Sequence, residues 1–180
     1  MDLTLLAWDD RGAALLKALN TPTGKAHLGG PESDEKLADR HQRYLGYARP
    51  GDTECFMVAI GDALVGSVVY WEGDDGAYEV GWEIVPNWHG RGVGARAVAL
   101  MLDHLAKVRR HDLAFAYPTP DNAGSNGICR KLGFDLIAPR DVEYPKGVWS
   151  PHNVWRRDLR TWMSRADEAR SSSRQIPSSS

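Results

Sequence analysis

The stretch VPNWHGRGVGARAV, residues 85–98, joins a strand to a long helix through three glycines. The apolar run before it, AYEVGWEIV (77–85), alternates like a strand. Pro86 stops that strand, because proline cannot donate to a ladder. Gly90, Gly92 and Gly94 then punctuate a turn, and a new period begins. Val93, Ala97, Leu100, Met101, His104, Leu105 and Val108 recur at helical spacing, which predicts a long helix from about Gly92 to Arg109. Glycines admit positive φ and let a ligand approach the main chain. The first turn of a helix offers unpaired N–H groups and the positive end of the dipole. A strand, a glycine turn and a helix start in that order make a cradle for a diphosphate. Arg91 and Arg96 stand where they can add charge-assisted contacts.

The turn alone admits three readings. It can be a plain helix start. It can be a dinucleotide site, since Gly92-Val93-Gly94-Ala95-Arg96-Ala97 matches G-x-G-x-x-A. Against that, Asp112, at about the 20-residue spacing of a ribose-binding acid, opens the next strand, whereas that acid belongs at a strand's other end. The glycines also follow strands that look antiparallel. Or the turn can hold the diphosphate of coenzyme A. A P-loop does not fit, because no Gly-Lys-Ser or Gly-Lys-Thr follows.

Working outward, CFMVAI (55–60), ALVGSVVYW (63–71) and AYEVGWEIV (77–85) are three strands joined by short Gly- and Asp-bearing linkers, the signature of antiparallel hairpins. Before them lie a short strand (2–8), a helix from about Asp10 to Leu19, and a loop (21–31) marked by Pro22, Gly24, Gly29, Gly30 and Pro31. Ser33 caps a second helix that runs to about Tyr47. After the long helix come LAFAY (113–117), a short helix from about Asn122 to Leu132 ended by Gly133, and two closing strands (134–144 and 152–159). Residues 160–169 have an amphipathic pattern that allows a last helix. The order is β-α-α-β-β-β-α-β-α-β-β: an α/β single domain, with a central, mixed but mostly antiparallel sheet flanked by helices. We place the domain at residues 1–165 and a low-complexity, disordered tail at 166–180, where SSSRQIPSSS cannot bury enough surface to order itself.

The segment DNAGSNGICRKLGF (121–134) is the second informative stretch. Asn122 and Ser125 are natural helix caps, and Leu132, Gly133 and Phe134 are a helix stop followed by a core residue. Together with the glycine turn about 30 residues earlier, one helix and one strand away, this segment resembles the GNAT family of N-acetyltransferases. The family's first motif is Gln or Arg, two residues, Gly, one residue, then Gly or Ala. His89-Gly90-Arg91-Gly92-Val93-Gly94 fits it from the second position onward, with His89 as the departure. The second motif is Asn, two residues, Ser or Ala, and a helix ending in Lys-Leu-Gly-Phe. The resemblance is good over residues 55–145.

That resemblance implies acetyl-CoA as acetyl donor and an amine as acceptor. Its diphosphate would lie against His89, Gly90, Arg91, Gly92, Val93, Gly94 and Ala95. Asn122, Ser125 and Asn126 would meet the pantetheine and the phosphate-bearing arm. In the family the strand before the glycine turn splays from its neighbour, so the main chain of Ile84 and Val85 would pair with pantetheine. A tyrosine often protonates the leaving thiolate; Cys129 stands in its place, as acid or as a small buried side chain, with Ser125 as alternative.

The chemistry asks for a base as well, since an alkyl ammonium has a pKa near ~10.4. Glu79 and Glu83 lie four apart on the strand leading to the turn, so both point to one side. Glu79, which aligns with the family's strand glutamate, is the expected general base, acting through water, with Glu83 in reserve. The opposing reading of either is an outward, ion-paired carboxylate. The first two helices and their loop form the expected acceptor wall, with His27, Leu28, Gly29, Tyr44 and Trp82 as candidates. An aromatic pocket suits a small amine, and a protein N-terminus or lysine is the alternative.

With 22 Lys and Arg against 24 Asp and Glu, net charge −2, nothing advertises a nucleic-acid or anionic-membrane surface. Two cysteines, Cys55 and Cys129, make no disulfide framework, and the N-terminus lacks a signal-peptide pattern, so a cytoplasmic location is expected. The six histidines show no metal-ligand spacing, so no metal is expected. Exposed sheet edges and the family's habit allow a homodimer.

Overall fold

The computed structural model describes residues 2–50, 52–73, 76–143 and 146–163. Its strands are β1 (Leu3–Ala7), β2 (Ala48–Arg49), β3 (Thr53–Ile60), β4 (Ala63–Glu72), β5 (Tyr78–Ile84), β6 (Leu113–Ala116), β7 (Asp135–Glu143) and β8 (Trp149–Asp158). The helices are α1 (Gly12–Leu19), α2 (Asp34–Leu45), α3 (Val93–Val108) and α4 (Ala123–Lys131). One sheet takes the order β1-β3-β4-β5-β6-β8-β7, with β2 pairing only the start of β3. Every pairing is antiparallel except β5 with β6, which are parallel and joined by α3 as crossover.

Alternation along β5 separates the two faces of the sheet. Tyr78, Val80 and Ile84 enter the large core with Val58, Val68 and Tyr70, against Ala97, Val98, Met101, Leu102 and Leu105 of α3. The opposite face carries Cys55 and Met57 of β3, packed under Trp8, Leu15, Leu16, Leu19 and Leu37 of the α1–α2 layer. The helical-spacing stripe read from the sequence of α3 is thus largely the surface that this helix buries.

Local chemistry sets the helix ends. Ser33 Oγ accepts from the Lys36 amide at 3.4 Å and starts α2. Asn122 Oδ1 accepts from the Ser125 amide at 3.0 Å and starts α4. Gly133, at φ 68°, ends it, and the Phe134 amide returns to the Cys129 carbonyl at 3.0 Å. Helix α1 begins at Gly12 rather than Asp10, because the Asp9 carboxylate takes the Arg11 amide at 2.9 Å in a side-chain turn.

Three expectations need adjusting. Helix α2 ends at Leu45 rather than about Tyr47, and just beyond it the two-residue β2 pairs Ala48 with Glu54 and Arg49 with Thr53. Strand β8 starts at Trp149, earlier than 152, and carries Pro151 opposite Asp141. Within residues 160–169, the described part is the 3-10 turn Leu159–Thr161 followed by Trp162 and Met163 outside any helix, and residues from 164 on lie outside the described residues, as does the tail expected at 166–180. Both cysteines are buried and unpaired with each other. No helix among the described residues is long and apolar enough to cross a membrane.

Candidate active site

Between β5 and α3 the chain makes one 3-10 turn, Pro86–Trp88, and then two glycines at positive φ, Gly90 at 70° and Gly92 at 73°. A Cβ on either would meet nothing within 4 Å, so both face open space. Gly92 is the residue before α3, which has no capping side chain and no acidic residue in its first turn. The first intrahelical bond runs from the Arg96 amide to the Gly92 carbonyl at 3.2 Å. The amides of Val93, Gly94 and Ala95 therefore stand at a helix start that no side chain caps. Arg91 lies on the Trp88 ring, 5.2 Å from its centroid, which holds a cation beside the turn.

Gly94 has a different role from its neighbours. A Cβ there would sit 2.7 Å from Ile128 Cδ1 and 3.5 Å from Ile84 Cγ1, so its lack of a side chain lets α3 close on α4 and on the end of β5. His89 turns inward: its Nε2 donates to the Ile84 carbonyl at 2.7 Å and braces the turn against the strand that feeds it. The Val85 amide donates to the Val65 carbonyl at 2.9 Å. Two of the main-chain groups expected to meet pantetheine are thus already bonded.

The sheet parts beside this turn. Strands β5 and β6 pair only at Tyr78 with Ala114 and Glu79 with Phe115. From Val80 to Ile84, β5 has no partner strand on that side among the described residues, while β6 stays with β8. The uncapped start of α3 stands at the end of this opening. Trp82 lies along it, and its indole nitrogen is buried with no hydrogen-bond partner among the described residues. An orphaned buried donor invites a ligand acceptor.

On α4, Asn122 and Ser125 remain half-buried at the helix start. Asn126 does not fit a cofactor contact. It is 2% exposed, and its amide is fully used: Nδ2 donates to the carbonyls of Thr119 and Asn122, and Oδ1 accepts from Asn153 Nδ2 and Trp155 Nε1. It ties the β6–α4 connection to β8. Cys129 is likewise sealed in the core, and burial pushes its thiol up to about 12. A side chain with no exposed surface offers a leaving thiolate no proton path, which leaves Ser125 as the candidate donor.

Glu79, Gly81 and Glu83 face the α1–α2 side. A Cβ on Gly81 would touch Val69 at 3.4 Å and then the Trp71 ring, so this glycine keeps the floor between the two glutamates clear. Glu79 sits at the closed end of the opening, with Trp71 and Phe115 as its register partners. Glu83 is held by two cations: Lys25 Nζ at 2.5 Å from Oε2 and Arg40 Nη1 at 3.1 Å from Oε1. Arg40 also reaches Glu32 at 2.6 Å, and Lys25 Nζ lies 3.6 Å from Glu32 Oε2. Lys25 and Arg40 are buried while Glu32 and Glu83 are partly exposed, so two buried cations meet two half-buried carboxylates. This network docks the α1–α2 loop on β5 and occupies the carboxylate held in reserve as a base. Residues 58 and 43 positions away supply the cations, a pairing that no local spacing reveals. Removing one partner of such a network is costly. Lys25→Met is expected to lower the unfolding free energy by about 3 kcal/mol, and adding Glu83→Gln to recover part of the loss, read from urea midpoints.

Past Lys25 the loop carries Leu28, half-buried, and reaches the connection after β6, where His27 Nδ1 lies 3.4 Å from Asp121 Oδ2. The Thr119 hydroxyl, 2.6 Å away, and more weakly His27, hold the Asp121 carboxyl below the usual carboxylate range. The loop therefore bridges the opening from β5 to the β6–α4 connection. A cleft of about 210 Å³ beside it is lined by His27 and Gly29 of the loop, Thr119 and Asp121, and Ser150 and His152 of β8. Tyr44 instead packs edge-on against Trp8, with ring centroids 4.9 Å apart, under the α1–α2 layer. Among the described residues no group of three or more His, Cys, Asp or Glu is gathered to hold a metal.

A family model described as an acetyltransferase (GNAT) domain matches residues 2–135, and the chain belongs to that family. Solved structures share the fold at low identity. The ribosomal alpha-N-protein acetyltransferase RimL in complex with coenzyme A superposes with TM-score 0.73 at 18% identity, over 87% of this chain and 93% of that one. The aminoglycoside acetyltransferase AAC(6')-Ib with coenzyme A gives 0.71 at 18%, over 95% and 99%. A spermidine N-acetyltransferase SpeG chimera from Vibrio cholerae and hSSAT gives 0.70 at 16%, over 89% and 97%.

Proposed function

We propose that the chain transfers the acetyl group of acetyl-CoA directly to the primary amine of a small molecule, such as an antibiotic, a polyamine or an amino-acid-like compound. The observation that carries this reading is the parting of β5 and β6 just beyond Glu79, beside the uncapped start of α3. Acetyl-CoA fits there with its diphosphate on the amides of Val93–Ala95, Gly90 and Gly92 keeping the approach open and Arg91 beside it. Asn122 and Ser125 flank the pantetheine arm. The thioester then lies along the unpaired edge of β5, where the Trp82 indole N–H can donate to the carbonyl oxygen as it gains charge.

Glu79, on the acceptor side at the closed end of the opening, is the general base, taking the amine's proton through water. The neutral amine attacks the thioester carbonyl, the C–S bond breaks, and the thiolate takes a proton from the Ser125 side. The loop from Lys25 to Gly29 forms the acceptor wall and limits water. A cytoplasmic location and pairing of two copies through an exposed sheet edge belong to the same proposal.

The test is release of free thiol from acetyl-CoA across a panel of an aminoglycoside, a polyamine, single amino acids and short peptides. Turnover of small amines supports the reading. Turnover of peptides alone moves the acceptor to a protein N-terminus or lysine. Saturable cofactor binding with no turnover on any amine makes the chain a binding module instead.

A further inference from the structure

The cleft beside the α1–α2 loop has a built-in hydrogen-bond acceptor that none of the described residues uses. His152 is 5% exposed, yet lines that cleft. Its Nδ1 lies 2.9 Å from the Ser150 carbonyl oxygen. A carbonyl can only accept, so Nδ1 carries the hydrogen, and in the neutral ring Nε2 keeps a lone pair. Among the described residues Nε2 has no hydrogen-bond partner. The ring is fixed by its own backbone contact, and Asn153 beside it is bonded to Asn126, so Nε2 cannot easily swing away to find one.

The groups around it are polar and already placed. His27 and Asp121 face it across the cleft as a pair, with the Thr119 hydroxyl bonded to Asp121. Arg140, its register partner on β7, is exposed at the side. The cleft thus offers a lone pair on His152 and a carboxylate on Asp121. Thr119 and His27 already engage the carboxylate, which leaves His152 Nε2 as the acceptor without a partner among the described residues.

From this we infer that the cleft is a specificity subsite. His152 Nε2 accepts a hydrogen bond from a second N–H or O–H group of the acceptor, several ångströms beyond the amine that is acetylated. The inference rests on the acetyltransferase reading above and narrows its substrate class to acceptors with two donor groups, amines bearing a further amine or hydroxyl. Loss of the lone pair leaves that donor buried without a partner, which raises the cost of binding such acceptors selectively.

The experiment compares kcat/KM for three acceptors of equal chain length, a monoamine, a diamine and an amino alcohol, in the wild-type chain, His152→Leu and His152→Gln. In the wild type the diamine or the amino alcohol, or both, are expected to exceed the monoamine by about tenfold or more; the arm that does so identifies the donor. His152→Leu is expected to lower that ratio about tenfold, through KM rather than kcat. His152→Gln, which restores an acceptor oxygen, is expected to keep most of it. A purely structural histidine would lower all three acceptors alike and leave the ratio unchanged, which would overturn the inference. Equal kcat/KM for the three acceptors in the wild type would overturn it too, with the acetyltransferase reading intact. No turnover of any amine would remove that reading, and this inference with it.

Discussion

Gly92→Val is expected to lower coenzyme A affinity by about 100-fold or more, the equivalent of losing two charge-assisted hydrogen bonds at about 1.5 kcal/mol each. The residue sits at φ 73° immediately before α3. A β-branched side chain is strained there by about 1–2 kcal/mol, so the turn rearranges and its amides lose their common aim. Open space around the Cβ position means that the side chain would project into the approach to the helix start rather than into the core. The fold itself is expected to survive, with Tm lowered by about 2–4 °C for each kcal/mol. Thermal stabilisation by coenzyme A separates the two effects. The wild type should gain about 2.7 kcal/mol at a hundred times Kd, and the variant almost nothing. Full stabilisation of the variant would mean that the diphosphate is held elsewhere. Gly94→Val meets Ile128 instead, and its main consequence is a shifted α3–α4 contact.

Glu79→Gln is expected to cost about 10²–10⁴ in kcat, the usual contribution of a general base, with the acetyl-CoA Kd unchanged within about twofold. Glutamine preserves the shape of the residue, whose register partners are Trp71 and Phe115, and removes its capacity to take a proton. A full rate across pH would assign the proton transfer to another group. Glu83→Gln should behave differently, because Glu83 is bound by Lys25 and Arg40. Its main effect is on stability and on the seating of the loop.

These two residues also mark how far the sequence could be read. The stretch around Gly92 is legible because its signals are local: a strand stopped by proline, three glycines, then a helical period. The distinction between Glu79 and Glu83 is not local. Both are carboxylates on one face of one strand, and only cations 58 and 43 positions away tell them apart. Asn126 is similar. An asparagine in the first turn of a helix looks the same whether it meets a ligand or the core, and its four bonds reach from Thr119 to Trp155. His152 carried no spacing signal, since its role depends on a carbonyl two residues away and on the loop across the cleft. The parting of β5 from β6 is a matter of register, and two short apolar runs do not declare where their pairing ends.

The proposed hold of the acetyl-CoA diphosphate by the amides of Val93, Gly94 and Ala95 is checked by following backbone amide resonances during titration with coenzyme A. Val93, Gly94 and Ala95 are expected to show the largest downfield shifts and to saturate together with binding. Saturable binding that leaves those three amides in place would overturn the assignment.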